Sequence, residues 1–194
     1  MRRFPLSLVV LAGGSSRRMK TDKALLPVPR GTLIEHILHQ LERFFQETLI
    51  SVSDPRKFTF LDRRLVVDPE PGLGPLMGIK TALAASKSEK NFVIACDIPA
   101  IDFEFLNQLI CAGKSNEIAV SQSTDGRVEP LFAVYSKSTV PRMEQLLNSG
   151  IHSILPLLDV CRTQHVRMSS ASWFKNLNTL HQRSLSQIEV ISVI

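Results

Sequence analysis

Apolar positions in this chain fall into short solid runs separated by stretches of helical spacing, which predicts strands and helices in alternation. Leu6-Ser7-Leu8-Val9-Val10-Leu11-Ala12 is too uniformly apolar for an exposed strand and reads as one buried in a parallel sheet. Leu33, Ile37, Leu38, Leu41 and Phe45 recur at helical spacing behind Thr32, and Glu35 completes a capping box. Leu49 to Ser53 and Arg64 to Asp68 read as the next strands, and Pro75 suits the first position of a helix through Ala84. The apolar run Asn91 to Cys96 predicts a strand ending at Asp97, and Asp102 to Cys111 a helix with Phe103, Leu106, Leu109 and Ile110 inward. Glu117 to Ser121 and Val128 to Tyr135 are strands about the turn Thr124-Asp125-Gly126-Arg127, with Pro130 pointing to a sheet edge. Thr139 to Leu147 predicts a helix ended by Gly150, and Ile154 to Leu158 a short apolar segment after it. The alternation implies an α/β fold with a mostly parallel central sheet.

Length and charge narrow the picture. At 194 residues and 44% hydrophobic content the chain can bury one core, so a single domain spanning 1–194 is expected. The net charge of +5 suits an anionic ligand, but the basic residues cluster in one loop with no aromatic-interleaved stripe, which argues for a nucleotide and against nucleic acid. Cys96, Cys111 and Cys161 form no C-x-x-C pair and cannot all be in intramolecular disulfides, as expected for a reducing cytoplasm. No apolar run approaches the ~20 residues of a membrane helix, so no membrane partner is expected. Arg2 and Arg3 precede an apolar stretch, but its shortness, with Pro5 and Ser7, argues against a secretory signal.

The candidate chemistry begins where the first strand breaks into Gly13-Gly14-Ser15-Ser16-Arg17-Arg18-Met19-Lys20-Thr21-Asp22-Lys23. Gly13 and Gly14 let main-chain N–H groups approach phosphate oxygens, Ser15 and Ser16 add hydroxyl donors, and Arg17, Arg18, Lys20 and Lys23 add charge. A polyphosphate is the expected occupant. The segment falls one residue short of a P-loop, because Met19 stands where that loop needs its second glycine. A triphosphate across neighbouring strand ends calls for Mg²⁺, which takes carboxylate and phosphate oxygens with water, and Asp97 is the expected ligand. Cys96 beside it alternates to the other face of its strand and belongs to the core. His36 and His39 stand three apart on the first helix without a third ligand nearby and are left out of the site. Gly72, Gly74 and Gly78 with Asp97 imitate a dinucleotide fingerprint, which keeps a nicotinamide-binding oxidoreductase as the rival from another class.

Leu11-Ala12-Gly13-Gly14-Ser15-Ser16-Arg17-Arg18-Met19, followed by Asp22-Lys23-Ala24-Leu25-Leu26, resembles the opening signature of the molybdenum cofactor guanylyltransferases, within the wider nucleotidyltransferase superfamily. Asp68-Pro69-Glu70-Pro71-Gly72-Leu73-Gly74-Pro75 resembles the family's second motif, Cys96-Asp97-Ile98-Pro99 its magnesium-binding acid, Glu129-Pro130-Leu131 its segment beside the second substrate, and Phe174 to Thr179 its late asparagine motif. One departure is Lys20, where the family usually carries glycine.

The resemblance implies a Rossmann-like three-layer α/β/α domain of the nucleotide-diphospho-sugar transferase type, with nucleotide bound by about residues 6–100 and acceptor by about 101–180. It implies transfer of GMP from GTP to the terminal phosphate of molybdopterin, giving the guanine dinucleotide cofactor and pyrophosphate. Cytidylyl transfer to the same acceptor, or nucleotidyl transfer to a sugar or lipid phosphate, is the alternative within the superfamily. Arg18, Lys23 and Asp97 are the expected catalytic residues. GTP is expected on Leu11, Ala12, Gly13, Gly14, Ser15, Lys23, Ser51, Asp68 and Asp97, of which Leu11, Ala12 and Ser51 lie where the family holds guanine. Asn178 is the second candidate ligand for Mg²⁺, although a turn before a last helix explains Asn176 and Asn178 equally well. Transient contact with molybdenum-insertion proteins or molybdoenzymes fits the same resemblance, in a monomer or weak homo-oligomer.

Overall fold

Strand β1 (Phe4–Leu11) forms the middle of the sheet because its side chains are apolar in both directions, with Leu8, Val9 and Val10 fully buried. The computed structural model describes residues 3–13, 22–29, 31–70, 72–98 and 100–169. After β1 come a small hairpin of β2 (Pro27–Val28) and β3 (Gly31–Thr32), helix α1 (Leu33–Leu41), β4 (Phe45–Val52), β5 (Arg64–Val67), α2 (Pro75–Ala85) and β6 (Lys90–Ala95). The remainder is α3 (Phe103–Ser115), β7 (Ile118–Gln122), β8 (Val128–Ser136), α4 (Val140–Asn148), α5 (Leu155–Val160) and β9 (Thr163–Arg167).

Among the described residues the main sheet has seven strands in the order β5-β4-β1-β6-β8-β7-β9, parallel throughout except for β8, which runs against both neighbours. Alternate residues of each strand feed opposite faces, so the core is two clusters. Leu8, Val10, Ile50, Phe92 and Ile94 meet α1 and α3 on one face. Val9, Leu11, Leu49, Val93 and Tyr135 meet α2, α4 and α5 on the other. This is the expected three-layer α/β/α arrangement.

Local capping follows the sequence. Thr32 and Glu35 form the capping box on α1, Asp102 accepts from the N–H groups of Glu104 and Phe105 to start α3, and Pro75 opens α2 behind Gly74.

Several expectations need correction. Phe45 does not lie on α1: a 3₁₀ turn, Glu42–Phe44, ends the helix, and Phe45 starts β4 in register with Phe4, its ring 5.5 Å from that of Phe4 and 5.8 Å from that of Phe92. The i+4 spacing from Leu41 to Phe45 imitates a further helical turn, and burial in the sheet overrides it. Phe103 is 37% exposed, because it begins α3 ahead of the inward stripe of Leu106, Leu109 and Ile110. Strand β8 is interior, so Pro130 is not at a sheet edge. It sits in a bulge, where the β7 register jumps from Val120↔Ala133 to Ser121↔Glu129 and no ladder N–H is needed. Strand β9, with its exposed polar side chains, carries no sequence pattern that announces it.

Candidate active site

Parallel strands deliver their carboxyl ends to one edge, and that edge gathers the candidate residues. The ladder runs one step past the strands: the Ala12 N–H donates to the Ser51 carbonyl at 2.9 Å, the Cys96 N–H to the Leu11 carbonyl at 3.2 Å, and the Asp68 N–H to the Val52 carbonyl at 3.0 Å. Gly13, Ser53, Asp68 and Asp97 therefore all leave the sheet on the same side.

Two constellations form there. In the first, the Ser51 hydroxyl donates to the Asp68 carboxylate at 3.3 Å. Gly78, on the first turn of α2, fits against this pair: a Cβ there would stand 2.8 Å from the Ser51 hydroxyl oxygen and 3.5 Å from both Asp68 carboxylate oxygens. A Cβ on Gly13 would stand 3.2 Å from the Ser53 nitrogen and 3.6 Å from one of the same carboxylate oxygens. The loop before α2 turns at Gly72 and Gly74, with φ of 97° and 77°, values that only glycine adopts without strain. Burial raises the Asp68 carboxyl above its ordinary range, and the Ser51 hydrogen bond only partly opposes this.

In the second, the Lys23 ammonium lies 3.2 Å from the Asp97 carboxylate, with 18% of each side chain exposed. Lys23 is placed by a 3₁₀ turn, Lys23–Leu25, that Asp22 caps by accepting from the Ala24 N–H, while the other Asp22 oxygen lies 3.6 Å from the Lys57 ammonium. Cys96 is inert beside them. Burial pushes its thiol up to about 12, and the Asp97 and Asp22 carboxylates add to the shift.

Leu11, Ala12, Gly13, Lys23, Ser51, Asp68 and Asp97 thus share one edge, in two groups at the ends of β5 and β6 with β4 and β1 between. Leu11, Ala12 and Ser51 are buried. Gly14, Ser15, Arg18 and Asn178 lie outside the described residues. The nicotinamide alternative loses its geometry: the glycine turn follows the edge strand β5, and Asp97 ends β6, three strands away, where a dinucleotide fold needs a central glycine turn and an acid on the adjoining strand.

Asp22 extends the candidate set beyond the expected site residues. Asp22 carried a usable signal, an aspartate two residues before a backbone N–H at a helix start. His36 and His39 lie elsewhere, with Glu35, Glu42, Phe60 and Arg63 around a groove of about 410 Å³, and Glu42 there pairs with Arg63. Among the described residues no group of three or more His, Cys, Asp or Glu side chains is placed to hold a metal, and no helix is long and apolar enough to cross a membrane.

Residues 8–167 match the family described as MobA-like NTP transferase domain. A probable molybdenum cofactor guanylyltransferase of Methanosarcina mazei is 37% identical over 160 residues, covering 77% of this chain and 71% of the relative. The molybdenum cofactor guanylyltransferase of Syntrophotalea carbinolica is 33% identical over 181 residues, 89% of this chain and 86% of its own. The molybdopterin-guanine dinucleotide biosynthesis protein A of Archaeoglobus fulgidus shares the fold, with a TM-score of 0.75 at 23% identity over 96% of this chain and 98% of that one.

Proposed function

Because the chain belongs to the MobA-like NTP transferase family, we propose that it is a nucleotidyltransferase that moves GMP from GTP to the terminal phosphate of molybdopterin. The observation that carries the reading is the 3.2 Å contact between Lys23 and Asp97, which brings the end of the glycine-serine-arginine loop against the acid that follows β6. A cation and a carboxylate at a shared strand edge are what a magnesium-bound triphosphate requires.

In the reaction an oxygen of the acceptor phosphate attacks the α-phosphorus of GTP, the bond from that phosphorus to the bridging oxygen breaks, and pyrophosphate leaves. The acceptor is already anionic at neutral pH, so the protein needs no general base and contributes alignment and charge. Lys23 and Arg18 offset the growing negative charge on the triphosphate. Gly13, Gly14 and Ser15 hold its oxygens through backbone and hydroxyl donors, and Leu11, Ala12 and Ser51 face the guanine. Asp68, held by Ser51 under Gly78, borders the nucleotide.

Asp97 fits magnesium: it is a single hard oxygen donor, already balanced by a cation, and the remaining ligands come from phosphates and water. Asn178 is the candidate second donor. The chemistry that the metal supplies when bound is neutralisation and polarisation of the phosphates. The segment up to about residue 100 binds nucleotide and the segment beyond it the acceptor, in a cytoplasmic protein.

Incubating the protein with GTP, Mg²⁺ and molybdopterin and weighing the product by mass spectrometry tests the reading. Molybdopterin guanine dinucleotide is expected, with GTP preferred over CTP, ATP and UTP. Absence of the product, or transfer from CTP in preference, overturns it.

A further inference from the structure

Charge alternates along the strand edge that carries the candidate site. In the sheet order β4-β1-β6, Lys57 comes from the chain beyond β4, Asp22 and Lys23 from the chain beyond β1, and Asp97 from the chain beyond β6. The Lys57 ammonium lies 3.6 Å from one Asp22 carboxylate oxygen, and the Lys23 ammonium 3.2 Å from Asp97, so two ion pairs are joined through the Asp22–Lys23 peptide.

Both turns that bring these groups together are anchored in the core. Ala24 holds the 3₁₀ turn Lys23–Leu25 and Phe58 the 3₁₀ turn Pro55–Phe58, and the two residues are buried in the same apolar cluster. Asp54 caps the second turn by accepting from the Arg56 N–H, and its carboxylate also pairs with the Arg56 side chain. Two neighbouring cations therefore take different carboxylates. Arg56, 88% exposed, stays with Asp54 of its own turn, while Lys57 reaches across to Asp22.

Asp22 has two effects that conflict. One of its oxygens accepts from the Ala24 N–H at 3.3 Å and so starts the turn that presents Lys23. The same carboxylate puts a negative charge one residue from the cation expected to receive a triphosphate. With only 13% of the side chain exposed, water and salt screen that charge poorly. Left uncompensated, it would repel the triphosphate. An ammonium on its other oxygen cancels the charge and leaves the cap in place.

We propose that Lys57 is a positioning residue for the donor nucleotide, acting through Asp22: it neutralises a carboxylate that the Lys23 turn needs as its cap and that a bound polyanion would oppose. The proposal rests on the transferase reading for the identity of the donor. Lys57 does not itself hold the triphosphate, so its loss weakens donor binding and leaves the chemical step unchanged.

The test is the Kd for GTP with Mg²⁺, by titration calorimetry, with steady-state kinetics alongside. Lys57→Ala is expected to raise the Kd and the KM for GTP about fivefold, with kcat within about twofold of wild type. Its thermal midpoint should stay at the wild-type value, because so exposed an ion pair adds little stability. Lys57→Arg should restore binding. Arg56→Ala, which removes the same charge from the neighbouring residue, should leave GTP binding at the wild-type value. Asp22→Asn keeps an oxygen for the Ala24 N–H and deletes the charge, so adding Lys57→Ala in that background should have no further effect. A loss that persists in the Asp22→Asn background, an equal loss in Arg56→Ala, or wild-type binding by Lys57→Ala overturns the proposal. Tight GTP binding by wild type without dinucleotide product counts against the transferase reading alone, and the Kd comparison then still decides the role of Lys57. If wild type binds none of GTP, CTP, ATP and UTP with Mg²⁺, the proposal fails.

Discussion

Lys23 and Asp97 stand 74 positions apart in the chain, and their side chains meet at 3.2 Å. The pair is partly open to solvent, so its direct contribution to stability is small, about 1 kcal/mol or less. Two charged groups brought to one strand edge for so little stabilisation are better explained by what they bind. Asp97→Ala should lower Mg²⁺-dependent pyrophosphate release by at least about 100-fold while leaving the thermal midpoint near that of wild type. Unchanged turnover would remove Asp97 from the site.

Lys23 is anchored by the Asp22-capped turn, and Lys20 is the position at which the opening motif departs from the resemblance. Lys23→Ala should raise the KM for GTP about tenfold or more, and Lys20→Ala should do so less. Equal losses in steady-state kinetics would show that both lysines face the triphosphate.

Gly78 has no room for a side chain. A methyl group there would press on the Ser51 hydroxyl at 2.8 Å, against a strand and a helix that are both fully packed. Gly78→Ala should destabilise the fold by about 1–3 kcal/mol, read by urea denaturation, and weaken GTP binding by displacing Asp68. A variant as stable and as active as wild type would show that α2 can move away freely.

Burial holds the Asp68 carboxyl above its ordinary value of 3.8. The folded state therefore keeps its proton to higher pH than the unfolded state does. Below that value both states are protonated and Asp68 has no net effect. As pH rises past it the unfolded chain ionises first, and folding is progressively disfavoured until the folded carboxyl ionises too. Asp68→Asn should thus raise the thermal midpoint relative to wild type near about pH 7 and not near about pH 3. Its GTP affinity should fall, separating stability from function at one residue.

Glu47, at the opposite end of the sheet, behaves in the reverse sense. Burial raises its carboxyl, but hydrogen bonds from the Lys87 N–H, the Ser7 hydroxyl and Arg64 outweigh this and hold it below 4.5. Its stabilisation is present above that value and is lost as pH falls through the lower folded pKa. Glu47→Gln should reduce stability by about 1–3 kcal/mol at neutral pH, with the difference vanishing in acid, as followed by denaturation at several pH values.

Much of this was legible in the sequence because it is local. The solid apolar run of β1, the Thr32–Glu35 box, Pro75 at the start of α2 and the glycines at 72 and 74 each act within a few residues of themselves, through side-chain size, backbone freedom or a nearby N–H. The strand-end acids Asp68 and Asp97 were legible for the same reason, since each closes an apolar run. Tertiary structure decided the rest. Helical spacing put Phe45 on α1, but pairing with Phe4 and stacking on Phe92, both distant in sequence, took it into β4. Proline chemistry suggested a sheet edge for Pro130, and a bulge closed by Ser121 and Tyr135 made an interior place for it. Which strand lies beside which is set by long-range burial, which no short stretch of chain encodes; that order alone put Lys23 against Asp97 and separated Asp97 from the glycine turn of β5.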